Sequence, residues 1–493
     1  MSLVELPNEP IAAKNLVAGE WRDAASGDRM DVVSPYTNTV IGSIPVSAAA
    51  DVGPAVAAAK EAAESWRAVP LKERTQTLFR FRELVLENID RMSNLAAIES
   101  GKTFAEGKAG VLKGVEIIEY ALSLQNLDIG TTLEVSRGVT CETRRVPLGV
   151  VAGITPFNFP AMVPMWQYPI AVTLGNAFIL KPSEKVPLTA HLSGELMVEA
   201  GYPPGVFSII HGGREAVEAL ADNPDVEALG FVGSTAVARA VYERVTGRNG
   251  RALCLGGAKN HLLVVPDAEE DVTVDGVVSS FIGCAGQRCM AASLMVAVGD
   301  LDDLIDKIVE RASKVALGPE MGAIIDEASR KRIEGDIQKA ADQGAKIRLD
   351  GRGAAAPAGY EGGNWLAPTI IDHASMEMEC TTKELFGPVL TIIRVATLDE
   401  AIALQSSTPY GNAVSVFTSR GDVARYVADR APTGMVGVNI GVPVPREPFS
   451  FGGAKASRFG QGDMTGAGGV ELWSRVQKIT TKWSLQPDAN WMS

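Results

Sequence analysis

Residues 149–160, GVVAGITPFNFP, set an unbroken apolar run, Gly149–Ile154, directly against a turn bounded by prolines. A run this short, stopped by Thr155-Pro156, reads as a strand buried on both faces. The pattern recurs at Ala177–Leu180, Val206–Ile210, Ala228–Val232 and His261–Val265. Between these runs lie Val186–Ala200, Arg214–Asp222 and Ser234–Thr246, which read as helices. Buried strands alternating with helices imply a parallel sheet covered on both sides, an open α/β domain that binds ligands where its strands end. A second strand-and-helix series over Ser293–Asn439 predicts a second α/β domain.

Upstream, Ala18–Ala50 is rich in turn residues, and its alternating run Met30–Val33 reads as an edge hairpin or looping arm. Lys72–Glu99 repeats Leu78, Phe81, Leu84, Val85, Ile89 and Met92 at the three-and-four spacing of an amphipathic helix. Ala105–Leu124 repeats that spacing despite internal glycines, and Gly351–Gly363 reads as a loop. There is no internal repeat.

At 493 residues the chain exceeds one hydrophobic core and should divide into two or three domains. Its 46% hydrophobic and 21% charged residues are those of a soluble globular protein. A formal charge of −13, with no lysine- and arginine-rich run, argues against a nucleic-acid surface. Five cysteines without a CxxC pair suit neither a disulfide framework nor a metal site, so no metal is expected. The N-terminal MSLVELPNEP lacks signal-peptide character, and no apolar run is long enough to span a membrane. A reduced, cytoplasmic location is the expectation.

The chemistry centres on Phe281–Met290, FIGCAGQRCM. Cys289 ends a glycine-punctuated turn beside Arg288, where turn N–H groups and a cation would favour thiolate; a cysteine packed as a small hydrophobe would look the same. In Gly230–Ala238, GFVGSTAVA, an apolar strand passes through Gly233 to the candidate N-cap Ser234, so a helix begins where a phosphate could meet free N–H groups. Such junctions are also common connectors. Lys181–Glu184, KPSE, places a lysine and a glutamate at a strand end, within reach of ribose hydroxyls or merely solvated. Asn158 in TPFNFP offers an amide donor of the kind an oxyanion hole needs, or it caps its own turn. In Lys383–Val389, KELFGPV, Glu384 could hold a second ribose and Phe386 could pack on a flat ring, or both are ordinary loop residues.

TPFNFP, KPSE, FVGST, LGGAKNH, GQRC, ELFGPV and FSFGG, in this order and with these separations, resemble the aldehyde dehydrogenase superfamily over nearly the whole chain. The resemblance implies that Cys289 is the nucleophile and Asn158 the oxyanion donor. It implies that Thr155, Phe157, Lys181, Glu184, Lys185, Ser234, Gly256, Glu384 and Phe386 bind NAD, the choice over NADP leaning on Glu184, which would repel a 2′-phosphate. The implied fold has a nucleotide-binding domain (residues 1–130 and 148–262), a catalytic domain (263–469) and a small β oligomerisation flap (131–147 and 470–493). A homodimer or homotetramer is implied with it.

Hydrolytic members of that superfamily carry a glutamate in E-L-G-G-K that deprotonates water. Here the segment reads CLGGAKNH, with Cys254 or Leu255 at the equivalent position and no carboxylate. An incoming thiol needs far less assistance than water, so the departure points to transfer onto coenzyme A. With GGAKNH, AGQRCM, the PVP segment and the tail KITTKW, the chain is similar to the CoA-acylating methylmalonate-semialdehyde dehydrogenase branch. That similarity implies NAD-dependent oxidation of malonate or methylmalonate semialdehyde to acetyl- or propionyl-CoA with loss of carbon dioxide. The substrate carboxylate would then meet Arg288, which otherwise tunes Cys289 or pairs with an acid, and Lys113, where the branch usually has arginine. The alternatives are a non-acylating dehydrogenase releasing a free acid, a catalytically silent binding protein, and a thiol esterase. The segment Ala316–Ile325 looks shorter than is usual in the family, a change expected to leave the cysteine turn untouched and to bear on a subunit contact or channel rim.

Overall fold

A computed structural model describes residues 3–127 and 130–483. The first sheet has eight strands in the order Arg458–Phe459, Arg251–Leu255, Val226–Val232, Val150–Ile154, Ala177–Lys181, Phe207–Ile209, Asn15–Val17, Glu20–Arg22. Its inner strands are parallel, and antiparallel strands from distant parts of the chain close both edges. From Val150–Ile154 the chain lays its next two strands on one side, then moves to the other side for Val226–Val232 and Arg251–Leu255. That reversal opens a crevice at the carboxyl ends of Val150–Ile154 and Val226–Val232, where ligands of open α/β sheets bind.

The second sheet has seven strands in the order Lys346–Leu349, Thr369–Asp372, Val389–Val395, Ala292–Val298, Asn260–Val264, Ala413–Phe417, Met435–Val438. All pair in parallel except the edge strand Lys346–Leu349. The run read from sequence as the fifth strand of the first series, His261–Val265, belongs to this second sheet, paired with Ala292–Val298 and Ala413–Phe417. In its place the first sheet takes Arg251–Leu255, a strand hidden in the sequence because its end merges with the LGGAKNH motif. The two sheets are therefore joined by the short link Gly256–Lys259. The first sheet turns the carboxyl ends of its strands toward this link, and the second turns the amino ends of its strands to it.

Helices follow the apolar spacing, with one difference. Lys72–Glu99 forms two helices, Leu71–Glu87 and Ile89–Ser100, because Asn88 leaves helical geometry (φ −101°, ψ 16°) and turns its amide to the Leu84 carbonyl. The next helix, Phe104–Ser123, starts at a capping box in which Thr103 accepts from the Glu106 N–H and Glu106 accepts from the Thr103 N–H. Its glycines serve packing. A Cβ on Gly107 would lie 2.5 Å from the Ser93 carbonyl, and one on Gly114 would lie 2.3 Å from the Met165 sulfur.

A hairpin, Thr131–Ser136 with Val139–Pro147, takes Ser474–Lys482 as a third antiparallel strand and stands out as a largely exposed ribbon. The end of the expected tail portion of the flap, 484–493, lies outside the described residues. The arm near the N-terminus is the pair Arg29–Val33 and Val40–Pro45, with Ile11–Ala12 added. Trp473, fully buried against Phe178 and held through its carbonyl by the Asn176 amide at 2.8 Å, anchors the C-terminal segment beneath the first sheet. Truncation of such a side chain costs about 3–5 kcal/mol. No described helix is long and apolar enough to cross a membrane.

Candidate active site

Between the sheets lies a cavity of about 570 Å³. Thr155, Phe157 and Asn158 reach it from the turn after Val150–Ile154, and Lys181, Glu184 and Lys185 from the turn after Ala177–Lys181. Ser234 and Gly256 enter after the neighbouring strands; Cys289, Glu384 and Phe386 come from turns that precede strands of the second sheet. All the residues expected to bind the dinucleotide thus meet the expected nucleophile and amide donor in one cavity.

The walls suit a dinucleotide. The helix Thr235–Gly247 begins at the cavity, and its N-cap Ser234 makes no side-chain capping bond, which leaves first-turn N–H groups for an anion. Lys181, 4% exposed at its side chain, pairs with Glu184 at 3.4 Å on the rim. Phe157 and Phe386 meet edge to face at 5.7 Å, two rings against which a flat heterocycle can rest. Phe386 has φ +54°, a conformation costly for an aromatic residue and found where function over-determines the backbone.

The cysteine turn is held from every side. Cys284 and Ala285 have φ near +50°, and Gly286 has φ +69° with its Cα so close to Gly387 that a Cβ would lie 2.0 Å from that carbonyl oxygen. The Cys284 N–H donates to Glu106 at 2.6 Å, so the carboxylate that caps one helix also fixes this turn. Lys102 Nζ lies 2.7 Å from Cys284 Sγ. Gln287 donates to the Ala323 carbonyl at 3.2 Å and accepts from the Ile325 N–H at 3.0 Å. The segment Ala316–Ile325 is therefore bonded to the cysteine turn. The Cys289 carbonyl accepts from Asn260 Nδ2 at 2.8 Å and Asn412 Nδ2 at 3.0 Å. Neither asparagine stood out in the sequence as a site residue; Asn260 lies within LGGAKNH, and Asn412 carries no local signal.

Asn158, 5% exposed, donates to the Gln287 carbonyl at 3.0 Å, which places its amide beside the nucleophile's turn. Burial, and after it the Glu384 carboxylate, push the Cys289 thiol up to about 12. The expected dominance of the neighbouring cation is not what the structure has. Arg288 donates to the Ser279 and Ser280 carbonyls at 2.6 and 2.9 Å, capping the helix Glu270–Ile282, and only weakly offsets the burial. Glu384 is itself half-buried and pushed up to about 7 by desolvation.

The two residues expected to hold a substrate carboxylate are not among those lining this cavity. Lys113 is paired with Glu447 at 2.9 Å and Glu116 at 2.8 Å, and the side chains of Lys113 and Glu447 are only 17% and 9% exposed. The two carboxylate partners of Lys113, Glu116 and Glu447, line a second cavity of about 480 Å³ that also takes in Glu119, Tyr120 and Arg446.

The two positions considered for a missing general base separate by strand alternation. Cys254 points into the core on the far face of the first sheet, and burial raises its thiol far above the ordinary range. Leu255 points to the opposite face, into the same apolar cluster against which Cys289 packs. Neither lines the cavity, whose carboxylates are Glu184 and Glu384.

The sequence profile described as "Aldehyde dehydrogenase family" matches residues 21–479. The mitochondrial methylmalonate-semialdehyde dehydrogenase [acylating] of Arabidopsis thaliana is 40% identical over 488 residues, 98% of this chain and 80% of that protein. Malonate-semialdehyde dehydrogenase 1 of Geobacillus thermodenitrificans is 39% identical over 95% of this chain and 98% of its own. Among solved structures, the methylmalonate-semialdehyde dehydrogenase of Oceanimonas doudoroffii superposes with a TM-score of 0.94 at 37% identity, covering 97% of this chain and 99% of that one. A Sinorhizobium meliloti protein solved in complex with NAD superposes with a TM-score of 0.95 at 36% identity, covering 98% and 100%.

Proposed function

The chain belongs to the aldehyde dehydrogenase family, and from that membership we propose that it oxidises malonate or methylmalonate semialdehyde with NAD and passes the acyl group to coenzyme A. The observation that carries this reading is that the two positions considered for a general base are the uncharged Cys254 and Leu255, neither of which lines the cavity.

In this reading Cys289 Sγ loses its proton and adds to the aldehyde carbon. Asn158 Nδ2 and the Cys289 N–H hold the oxygen as it becomes negative, fixed dipoles worth about 3–4 kcal/mol in such a role. Lys181 and Glu184 hold one ribose, Glu384 the other, and the first turn after Ser234 takes the diphosphate, with Thr155, Phe157, Lys185, Gly256 and Phe386 shaping the rest. A nicotinamide, when bound, supplies the hydride acceptor that leaves Cys289 as a thioester. With no carboxylate at Cys254 or Leu255 to assist water, the thioester persists until the thiol of coenzyme A displaces Cys289. A carboxylate beta to the thioester carbonyl departs as carbon dioxide, its electron pair passing into an enolate that then takes a proton.

The free cysteines of the described chain suit a reducing, cytoplasmic compartment, and the exposed flap sheet suits an assembly of two or four copies. Turnover with and without coenzyme A tests the central reading. Without it, a burst of NADH no larger than the enzyme concentration is expected; sustained NADH formation would establish the non-acylating reaction instead.

A further inference from the structure

Lys102, in the turn between the helices Ile89–Ser100 and Phe104–Ser123, reaches the cysteine turn from 182 residues away in the chain and sets its Nζ 2.7 Å from Cys284 Sγ. Both residues are buried, Lys102 4% and Cys284 6% exposed. The same ammonium lies 3.6 Å from the centroid of the Phe159 ring. A buried lysine ordinarily meets a carboxylate; here its hydrogen-bond partner is a thiol. Backbone contacts hold both partners in place. Tyr36 donates its hydroxyl to the Lys102 carbonyl at 2.5 Å, and the Ala323 N–H donates to the Gly101 carbonyl at 2.7 Å. One oxygen of Glu106 accepts from the Thr103 N–H at 3.0 Å and the other from the Cys284 N–H at 2.6 Å, so a single carboxylate ties the two backbones together. The reaction described above uses neither the amine nor this sulfur.

We propose that Lys102 and Cys284 form an oxidative modification site, at which peroxide links Nζ to Sγ through a single oxygen atom. Their 2.7 Å separation is close to what one bridging oxygen would impose, so the link needs little movement of either side chain. The chemistry balances with two molecules of peroxide. Cys284 gives up its proton and its sulfur attacks the first: the S–O bond forms, the O–O bond breaks, and a water leaves behind a sulfenic acid. The Lys102 ammonium releases a proton to solvent, and its nitrogen lone pair takes an oxygen from the second peroxide, giving a hydroxylamine and another water. The hydroxylamine oxygen then attacks the sulfenic sulfur, whose hydroxyl departs with the hydroxylamine proton as a third water. Sulfur and nitrogen have each lost two electrons to peroxide, and an excess of thiol returns them.

The fixed contact gives this route its advantage. A sulfenic acid held against an amine is captured before further peroxide carries it to sulfinic acid, which thiols do not reverse. The link thus keeps oxidation of the cysteine turn on its reversible side, at a sulfur five positions before the nucleophile. Burial pushes the Cys284 thiol up, with Lys102 the largest influence against that rise, so reaction with peroxide should quicken as the pH is raised. None of this depends on which acceptor takes the acyl group from Cys289.

The test treats the full-length enzyme with hydrogen peroxide at about pH 9, digests it with trypsin, and reads the peptides by mass spectrometry before and after dithiothreitol. Trypsin cuts after Arg288, so Cys289 falls on a different peptide from Cys284 and its own oxidation is read apart. In the wild type the Lys102 peptide, uncut after that residue, should appear joined to the Cys284 peptide at about 14 Da above their sum, and dithiothreitol should separate the two. Lys102→Arg keeps the cation but has no primary amine. It should give no joined pair and should instead carry Cys284 to sulfinic acid, about 32 Da heavier and unmoved by dithiothreitol. Cys284→Ala, which serves should the arginine protein fail to fold, should leave the chain cut after Lys102 and unlinked. Wild-type Cys284 that stays a thiol overturns the proposal, as does wild-type Cys284 that reaches sulfinic acid with no joined pair. A joined pair of the same mass in Lys102→Arg or Cys284→Ala overturns it too.

Discussion

The dinucleotide wall of the main cavity and the wall expected to recognise a substrate acid are built by different rules. The first consists of turns that follow parallel strands and one helix N-terminus, so strand register alone delivers Thr155, Lys181, Ser234 and Gly256 to a common crevice. The second depends on long cationic side chains, and these have found local partners: Arg288 the carbonyls of Ser279 and Ser280, Lys113 the carboxylates of Glu116 and Glu447. Backbone-borne recognition is fixed by topology, whereas side-chain charge recognition is decided by whatever acid or carbonyl lies within a few ångströms.

The sharpest break in this comparison is at the point the two walls share. Cys289→Ala should abolish aldehyde-dependent NADH formation, by about 10⁴-fold or more in kcat, while nucleotide binding, followed by fluorescence, stays near the wild-type value. Asn158→Ala should lower kcat by about 10²–10³-fold with a smaller effect on KM, since its amide acts on charge that develops only during reaction. Leu255→Glu sharpens the contrast between walls: a carboxylate at that position should raise CoA-independent NADH turnover about tenfold or more above the wild type. The smallest effect belongs to the acid-binding wall. Glu447→Gln removes one of the two carboxylates on Lys113 and should raise kcat/KM for an acidic semialdehyde relative to a neutral aldehyde of the same length by up to about tenfold, or about 1.4 kcal/mol. An unchanged ratio would mean that Lys113 plays no part in reading the substrate.

The sequence makes the fold class and the cavity legible because both follow from local pattern. Apolar runs of strand length stopped by glycine or proline mark the sheets, and the residues just beyond them mark the crevice. Three things escape that reading for physical reasons. Arg251–Leu255 merges with the motif after it, so a strand of the first sheet is concealed while Asn260–Val264, which opens the second, takes its place in the count. Lys72–Glu99 keeps its apolar phase across Asn88, so periodicity cannot register a break made by one backbone departure. The state of the Cys289 sulfur depends on burial and on Glu384, which lies 95 residues away in the chain, and adjacency to Arg288 in the sequence is a poor guide to either. The pairing of Lys113 with Glu447 is longer still in sequence separation and carries no motif.

The edge of the first sheet has a consequence for how the protein is made. Arg251–Leu255 stays uncovered until Arg458–Phe459 pairs with it, and Trp473 must arrive before the core beneath Phe178 is filled. A ribosome therefore holds an open sheet edge, the kind that recruits stray strands, through most of the second half of synthesis. The nascent chain has to be shielded until its last segment emerges, and loss of that segment would injure the half of the molecule made first.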